Sequence, residues 1–81
     1  MNWSEIIVNR FEVAFKINYD NKTLEIDDNR NNLNFVQQFG NEKEITEYII
    51  KYISKLPNVR NIHIRNKPGG TFRNITELFD K

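Results

Sequence analysis

Apolar and polar side chains alternate from residue 11 to residue 19: Phe11, Val13, Phe15, Ile17 and Tyr19 fall on one side, and Glu12, Ala14, Lys16 and Asn18 on the other. A period of two is the pattern of a strand with one buried face. Asp20-Asn21 tolerates the positive φ angles of a two-residue hairpin turn, and residues 22–27 return as a second strand. That turn sets Tyr19 opposite Lys22, Ile17 opposite Leu24 and Phe15 opposite Ile26, so apolar positions meet across the pair. Residues 28–32 are polar and read as a turn, after which Leu33, Phe35, Gln37 and Phe39 alternate again up to Gly40 as a third strand. Upstream, Ile6 and Val8 are read as an extension of the first strand through a bulge near Asn9-Arg10, in preference to a short helix capped by Ser4.

Beyond Gly40 the period changes. Asn41 is an N-cap, Glu44 follows at capping-box spacing, and Glu42, Glu44 and Glu47 sit near the positive end of the helix dipole. Ile45, Tyr48, Ile49, Tyr52, Ile53 and Leu56 recur at steps of three and four as one apolar stripe, with Lys51 and Lys55 toward the far end and Pro57 stopping the helix. Residues 59–65 alternate once more, Ile62 and Ile64 facing one way and Asn61, His63 and Arg65 the other. Pro68-Gly69 is a type II turn signature, residues 71–75 form a fifth strand, and Thr76 caps a final helical turn carrying Leu78 and Phe79. The order β-β-β-α-β-β predicts an α+β fold: a small antiparallel sheet with one amphipathic helix packed on one face.

At 81 residues the chain has room for one domain, 1–81, with no linker, low-complexity segment or evident internal repeat. Eleven Ile and six Phe supply a small core, and the absence of Cys removes disulfides, thiolate metal sites and a thiol nucleophile. Thirteen Asn beside abundant Ile and Lys suggest AT-rich coding, and the Asn-x-Ser/Thr triplets at Asn2, Asn21 and Asn74 are read as a by-product of that bias. The N-terminus has neither the basic region nor the apolar run of a leader, and no stretch has the length of a membrane span, so a cytoplasmic protein without membrane contact is expected.

The chemistry of catalysis is sparse. His63 is the sole His, and neither Ser4 nor Ser54 can be linked to a base and an orienting carboxylate. Glu25 to Asp28 lacks the pattern and Gly of a calcium loop. The helix-start carboxylates already have a role in the cap and dipole, and Gly69-Gly70 lacks a phosphate-loop context. A non-enzymatic protein without metal or cofactor is therefore expected.

Charge, by contrast, is unevenly placed. Residues 1–58 carry seven basic and nine acidic groups, net −2; residues 59–73 carry Arg60, Arg65, Lys67 and Arg73 with no acid, net +4; the remainder is net −1, summing to the +1 of the whole chain. With His63, Asn66 and Phe72 this segment forms a basic hairpin suited to phosphate contacts and base stacking. The favoured expectation is a binding protein that contacts nucleic acid or a nucleoprotein complex through Arg60, His63, Arg65, Asn66, Lys67, Phe72 and Arg73. The alternative is a protein-binding inhibitor or adaptor, of a phage or mobile-element kind, acting on a host defence enzyme such as a nucleic-acid-guided nuclease complex. Here Trp3, Tyr48, Tyr52 or an open sheet edge would supply affinity. Basic residues can also simply guard a sheet edge, while an unguarded edge would favour a homodimer. Arg65 and Arg73 projecting from one face would favour the nucleic-acid reading; their divergence would weaken it.

Overall fold

Turns spaced ten residues apart divide the first half of the chain into β1 (Trp3–Val8), β2 (Val13–Asn18), β3 (Thr23–Asp28) and β4 (Leu33–Gln38), and the turns after β2 and β3 share one Asx chemistry. At the end of β2 the side chain of Asn18 accepts the backbone N–H of Asn21 at 3.0 Å, and at the end of β3 that of Asp28 accepts the N–H of Asn31 at 3.1 Å. The last residue of each turn, Lys22 or Asn32, takes a positive φ of 55° or 57°. Both turns thus read Asx-x-x-Asn-x, the Asx side chain standing in for a backbone acceptor. The computed structural model describes residues 2–79; its remaining elements are α1 (Glu42–Ser54), β5 (Ile62–Arg65), β6 (Arg73–Asn74) and a 3-10 turn (Thr76–Phe79).

The strands form one antiparallel sheet in the order β4-β3-β2-β1-β5-β6, with α1 on one face. The α+β class and the β2–β3 register are as expected, Phe15 facing Ile26 and Ile17 facing Leu24. The turn between them spans four residues because the Asn18 bond closes it earlier than an Asp20-Asn21 turn would. The sheet has one strand more than the sequence pattern suggests, for β1 is separate and pairs with β2, Val8 opposite Val13. In place of a bulge, Asn9, Arg10 and Phe11 turn the chain with φ of 50°, 54° and 71°, a left-handed run disfavoured for Arg and Phe. Asn9 holds this turn. It is 4% exposed; its Nδ2 donates to the Asn58 carbonyl at 2.8 Å, and its Oδ1 accepts the N–H groups of Arg60 and Asn61 at 2.7 and 3.1 Å.

Further differences lie in the second half. The fourth expected strand begins only at Ile62, since the N–H groups of residues 60 and 61 are committed to Asn9. The fifth shrinks to two residues. The Pro68-Gly69 turn forms, with Gly69 at φ 75° and Gly70 N–H donating to Lys67 at 3.0 Å. Thr76 does not cap the last turn. Its Oγ1 accepts from Ile62 N–H at 2.9 Å, while Asn74 Oδ1 accepts from Thr76 N–H at 2.9 Å.

Alternation sends Ile6, Val8, Val13, Phe15, Ile17, Leu24, Ile26 and Ile62 to the helix face, where they meet Ile45, Ile49 and Ile53 of α1. Asn41 caps α1 as expected, accepting Glu44 N–H at 3.0 Å. The helix runs back along β4: Tyr48 packs on Phe39, just past the end of β4, with ring centres 5.4 Å apart, and Tyr52 hydrogen-bonds Asp28, the ladder partner of Leu33 at its start. Asp28 is fully buried. Burial opposes its charge, but hydrogen bonds from Tyr52 and Asn31 outweigh that and hold its carboxyl below the usual range. Burial, and then the adjacent Asp28 carboxylate, push the Tyr52 phenol up.

A depressed folded-state pKa means that Asp28 contributes stability above its unfolded value, near ~3.9, which is lost as pH falls through the folded value. Tyr52→Phe removes the donor and leaves a buried acceptor short of a partner. It is expected to cost about 1 to 3 kcal/mol at neutral pH and distinctly less once Asp28 is protonated in both states. Urea melts at pH 7 and at a pH below the depressed folded-state value of Asp28 check this; an equal loss at both would contradict it.

Candidate binding surface

The sheet face away from α1 has no second layer among the described residues. Alternation places Trp3, Glu5 and Ile7 of β1, Lys16 of β2, Glu25 and Asp27 of β3, and His63 and Arg65 of β5 on it. Glu5, Ile7 and Ala14 on this face are nonetheless only 4%, 5% and 5% exposed. Neighbouring side chains shield them.

Arg65 organises this cover. Its Nε donates to Glu5 Oε1 at 2.8 Å and its Nη2 approaches the same oxygen at 2.7 Å. Its guanidinium lies 4.5 Å from the centre of the Phe72 ring and 5.9 Å from that of Trp3, within cation–π range. Phe72 in turn meets Phe11 edge to face, 5.9 Å between centres. Phe11 is 51% exposed. The left-handed run at residues 9–11 carries it out of the alternation of β2, which explains why a ring assigned by pattern to the core lies on the outer face.

The expected site residues therefore separate. His63, Arg65 and Phe72 come together on the open face, with Trp3, Glu5 and Phe11 beside them. Arg73 pairs with Ile64 and so belongs to the helix face, opposite to its neighbour across the ladder, Arg65. Asn66 is tied to Ser4, its Nδ2 donating to Oγ at 3.0 Å, where Tyr19 also donates at 3.1 Å. Arg60 is largely exposed, its Nη2 3.6 Å from Glu12. Glu12 is held chiefly by Arg30, whose hydrogen bond keeps the carboxyl below its ordinary value. Lys67 and Arg73 are exposed and have no carboxylate partner among the described residues.

The net charge of +4 counted over residues 59–73 overstates the field, because Glu5, sixty positions upstream of Arg65, neutralises one of the four cations. The open face itself carries Glu5, Glu25 and Asp27 against Lys16 and Arg65. The strand residues of this face therefore add no net positive charge of their own, and its cations beyond Lys16 and Arg65 come from the flanking turns. The rings of Phe72 and Trp3 both lie against the Arg65 guanidinium.

Glu5, Trp3 and Phe11 are the members of this cluster that the basic-segment pattern passes over. For Glu5 the signal is its place in the alternation Trp3-Glu5-Ile7 against Ser4-Ile6-Val8, a carboxylate inside an apolar stretch. Such a group needs a cationic partner. The described residues contain no group of three or more His, Cys, Asp or Glu arranged to hold a metal ion, and no helix long and apolar enough to cross a membrane. Between α1 and the 3-10 turn a cavity of about 350 Å3 is lined by Ile53, Leu56, Val59, Ile62 and Phe79, with Arg60 its one titratable neighbour. Comparison of the chain with known protein families, with curated proteins and with solved structures finds no match.

Proposed function

We propose that this chain is a non-catalytic protein-binding module, of the inhibitor or adaptor kind, whose contact surface is the uncovered sheet face centred on Trp3, Phe11, Arg65 and Phe72. The observation that carries the reading is the cluster itself: two aromatic rings on an arginine whose charge is already met inside the protein, with a third ring packed on one of them. Aromatic and Arg side chains dominate binding energy where they are pre-positioned and partly desolvated. Here the Glu5 bond and the ring contacts supply the pre-positioning before any partner arrives. Arg10, next to Phe11 in the chain, and Lys67, in the loop leading to Phe72, add exposed positive charge suited to an acidic rim on the partner.

A second reading rests on Arg60, Lys67 and Arg73, exposed cations that suit an anionic partner, nucleic acid included. It is the weaker one, because Arg65 is engaged with Glu5 and Arg73 departs to the other face.

Selection of displayed random peptides against the immobilised chain tests the proposal and requires no identified partner. The recovered peptides are expected to combine an apolar or aromatic anchor with Asp or Glu, and to bind wild type and Arg73→Glu alike. Phe11→Glu is expected to weaken them by at least about tenfold, the equivalent of 1.4 kcal/mol, while keeping the native circular dichroism. Peptides indifferent to Phe11→Glu would place the binding surface elsewhere.

A further inference from the structure

The two edges of the sheet are built differently. β6 is two residues long, carries Arg73, and follows a loop containing Pro68, all features that discourage another strand from adding. β4 is six residues long, Leu33–Gln38, and contains no charge, no Pro and no Gly. Leu33 is 48% and Val36 64% exposed. The N–H of Phe39 donates to the Lys22 carbonyl at 2.9 Å, so by antiparallel alternation residues 33, 35 and 37 direct their backbone groups toward β3. Asn34, Val36 and Gln38 direct theirs outward. Such an edge is a template for a further strand.

We infer that β4 is the interface of a two-fold dimer, pairing antiparallel with β4 of a second copy about an axis through Val36. A two-fold axis normal to the sheet keeps both helices on one side and sets Val36 opposite its own copy and Asn34 opposite Gln38, so all three outward-facing residues find partners. It also sets Leu33 opposite Phe39 of the other copy, giving the exposed Leu33 an apolar neighbour. Because β4 is uncharged, no like charges meet across the axis.

The helices favour the same occupant. Glu44 and Glu47, with Lys51 after them, line the flank of α1 beside the end of β4, and α1 runs back toward its start. The symmetry therefore brings the acidic first half of one helix alongside the more basic second half of the other. A second copy supplies this complementarity automatically. Phe72 lies toward the other end of the sheet, whereas Trp3 lines one surface depression with Lys16, Glu25 and Val36, so the interface borders the proposed contact surface on its Trp3 side while resting on the backbone edge of β4 and not on the aromatic cluster.

Sedimentation velocity of the full chain across micromolar concentrations tests the inference. Wild type is expected to show a concentration-dependent monomer–dimer equilibrium. Val36→Lys, which opposes two ammonium groups at the axis, and Val36→Pro, whose lost N–H faces outward and not toward β3, are each expected to weaken it by at least about tenfold. Val36 is exposed, and circular dichroism confirms folding; Val36→Lys alone suffices if the proline variant unfolds. Mixing Val36→Lys with Val36→Glu is expected to restore a heterodimer, since the two positions face each other. A wild-type monomer at every concentration, a dimer indifferent to both substitutions, or a mixture that stays monomeric would overturn it.

Discussion

Arg65→Glu is expected to destabilise the protein by roughly 3 kcal/mol or more, although composition alone marks Arg65 as an ordinary surface cation. Its partner Glu5 has a side chain only 5% exposed, while that of Arg65 is 23% exposed. Removing one member of a buried pair leaves an uncompensated charge and costs about 3 to 5 kcal/mol. The partial exposure of Arg65 argues for the lower end, and the reversal adds repulsion between two carboxylates. The guanidinium also leaves Phe72 and Trp3, giving up both cation–π contacts. For 81 residues, total stability at ordinary per-residue values is roughly 4 to 12 kcal/mol, so the loss is a large share of the whole. Arg73→Glu, exposed and without a carboxylate partner among the described residues, is expected to change stability by less than about 0.5 kcal/mol. Urea denaturation of the two variants side by side checks the contrast, and equal stability would mean that the Glu5–Arg65 pair does not hold the fold.

Phe15→Ala is expected to cost about 3 to 5 kcal/mol, the range for truncating a fully buried aromatic ring. Phe15 has no exposed surface and lies mid-sheet on β2, facing Ile6 on one side and Ile26 on the other. Its ring meets that of Tyr52 edge to face at 5.4 Å, so the cavity would also loosen the helix where Tyr52 reaches Asp28. The loss should therefore exceed that of Tyr52→Phe, which keeps the ring and removes only the hydroxyl. A loss for Phe15→Ala below that of Tyr52→Phe would contradict this packing.

The fold was legible in the sequence where the signal was local. The capping of α1 by Asn41, its Ile stripe and the pairing of Phe15 with Ile26 all depend on residues close in the chain. The separate β1 was hidden by its turn, because Asn9-Arg10-Phe11 offers no glycine and reaches its left-handed conformation only with Asn9 bonded to residues 58–61. That contact spans some fifty positions, and no window of sequence contains it. The repeated Asx-x-x-Asn turn was present in the residues and is the signal that separates β2, β3 and β4.

The candidate surface was less legible for the same reason. Counting charge along residues 59–73 treats neighbours in sequence as neighbours in space, whereas a strand sends Ile64 and Arg65 to opposite faces. Arg73, across the ladder from Ile64, is thereby parted from Arg65. Phe72 and Arg65 were found by composition; Glu5 and Phe11, which define what the two do, come from the other end of the chain. On the proposed reading, the carboxylate makes the cluster a neutralised aromatic and arginine surface in place of a phosphate site.

On the proposed reading the aromatic face, and not the charge of the hairpin, carries binding. The decisive experiment is fluorescence anisotropy of labelled single- and double-stranded DNA and RNA at low and physiological salt, with wild type, Phe11→Glu and the combined Arg60→Glu, Lys67→Glu and Arg73→Glu variant. No binding is expected at physiological salt in any of the three, and at low salt only weak association that the triple reversal removes and Phe11→Glu leaves unchanged. Tight binding that persists at physiological salt and is abolished by the triple reversal would contradict the reading and return the basic hairpin to the centre of the function.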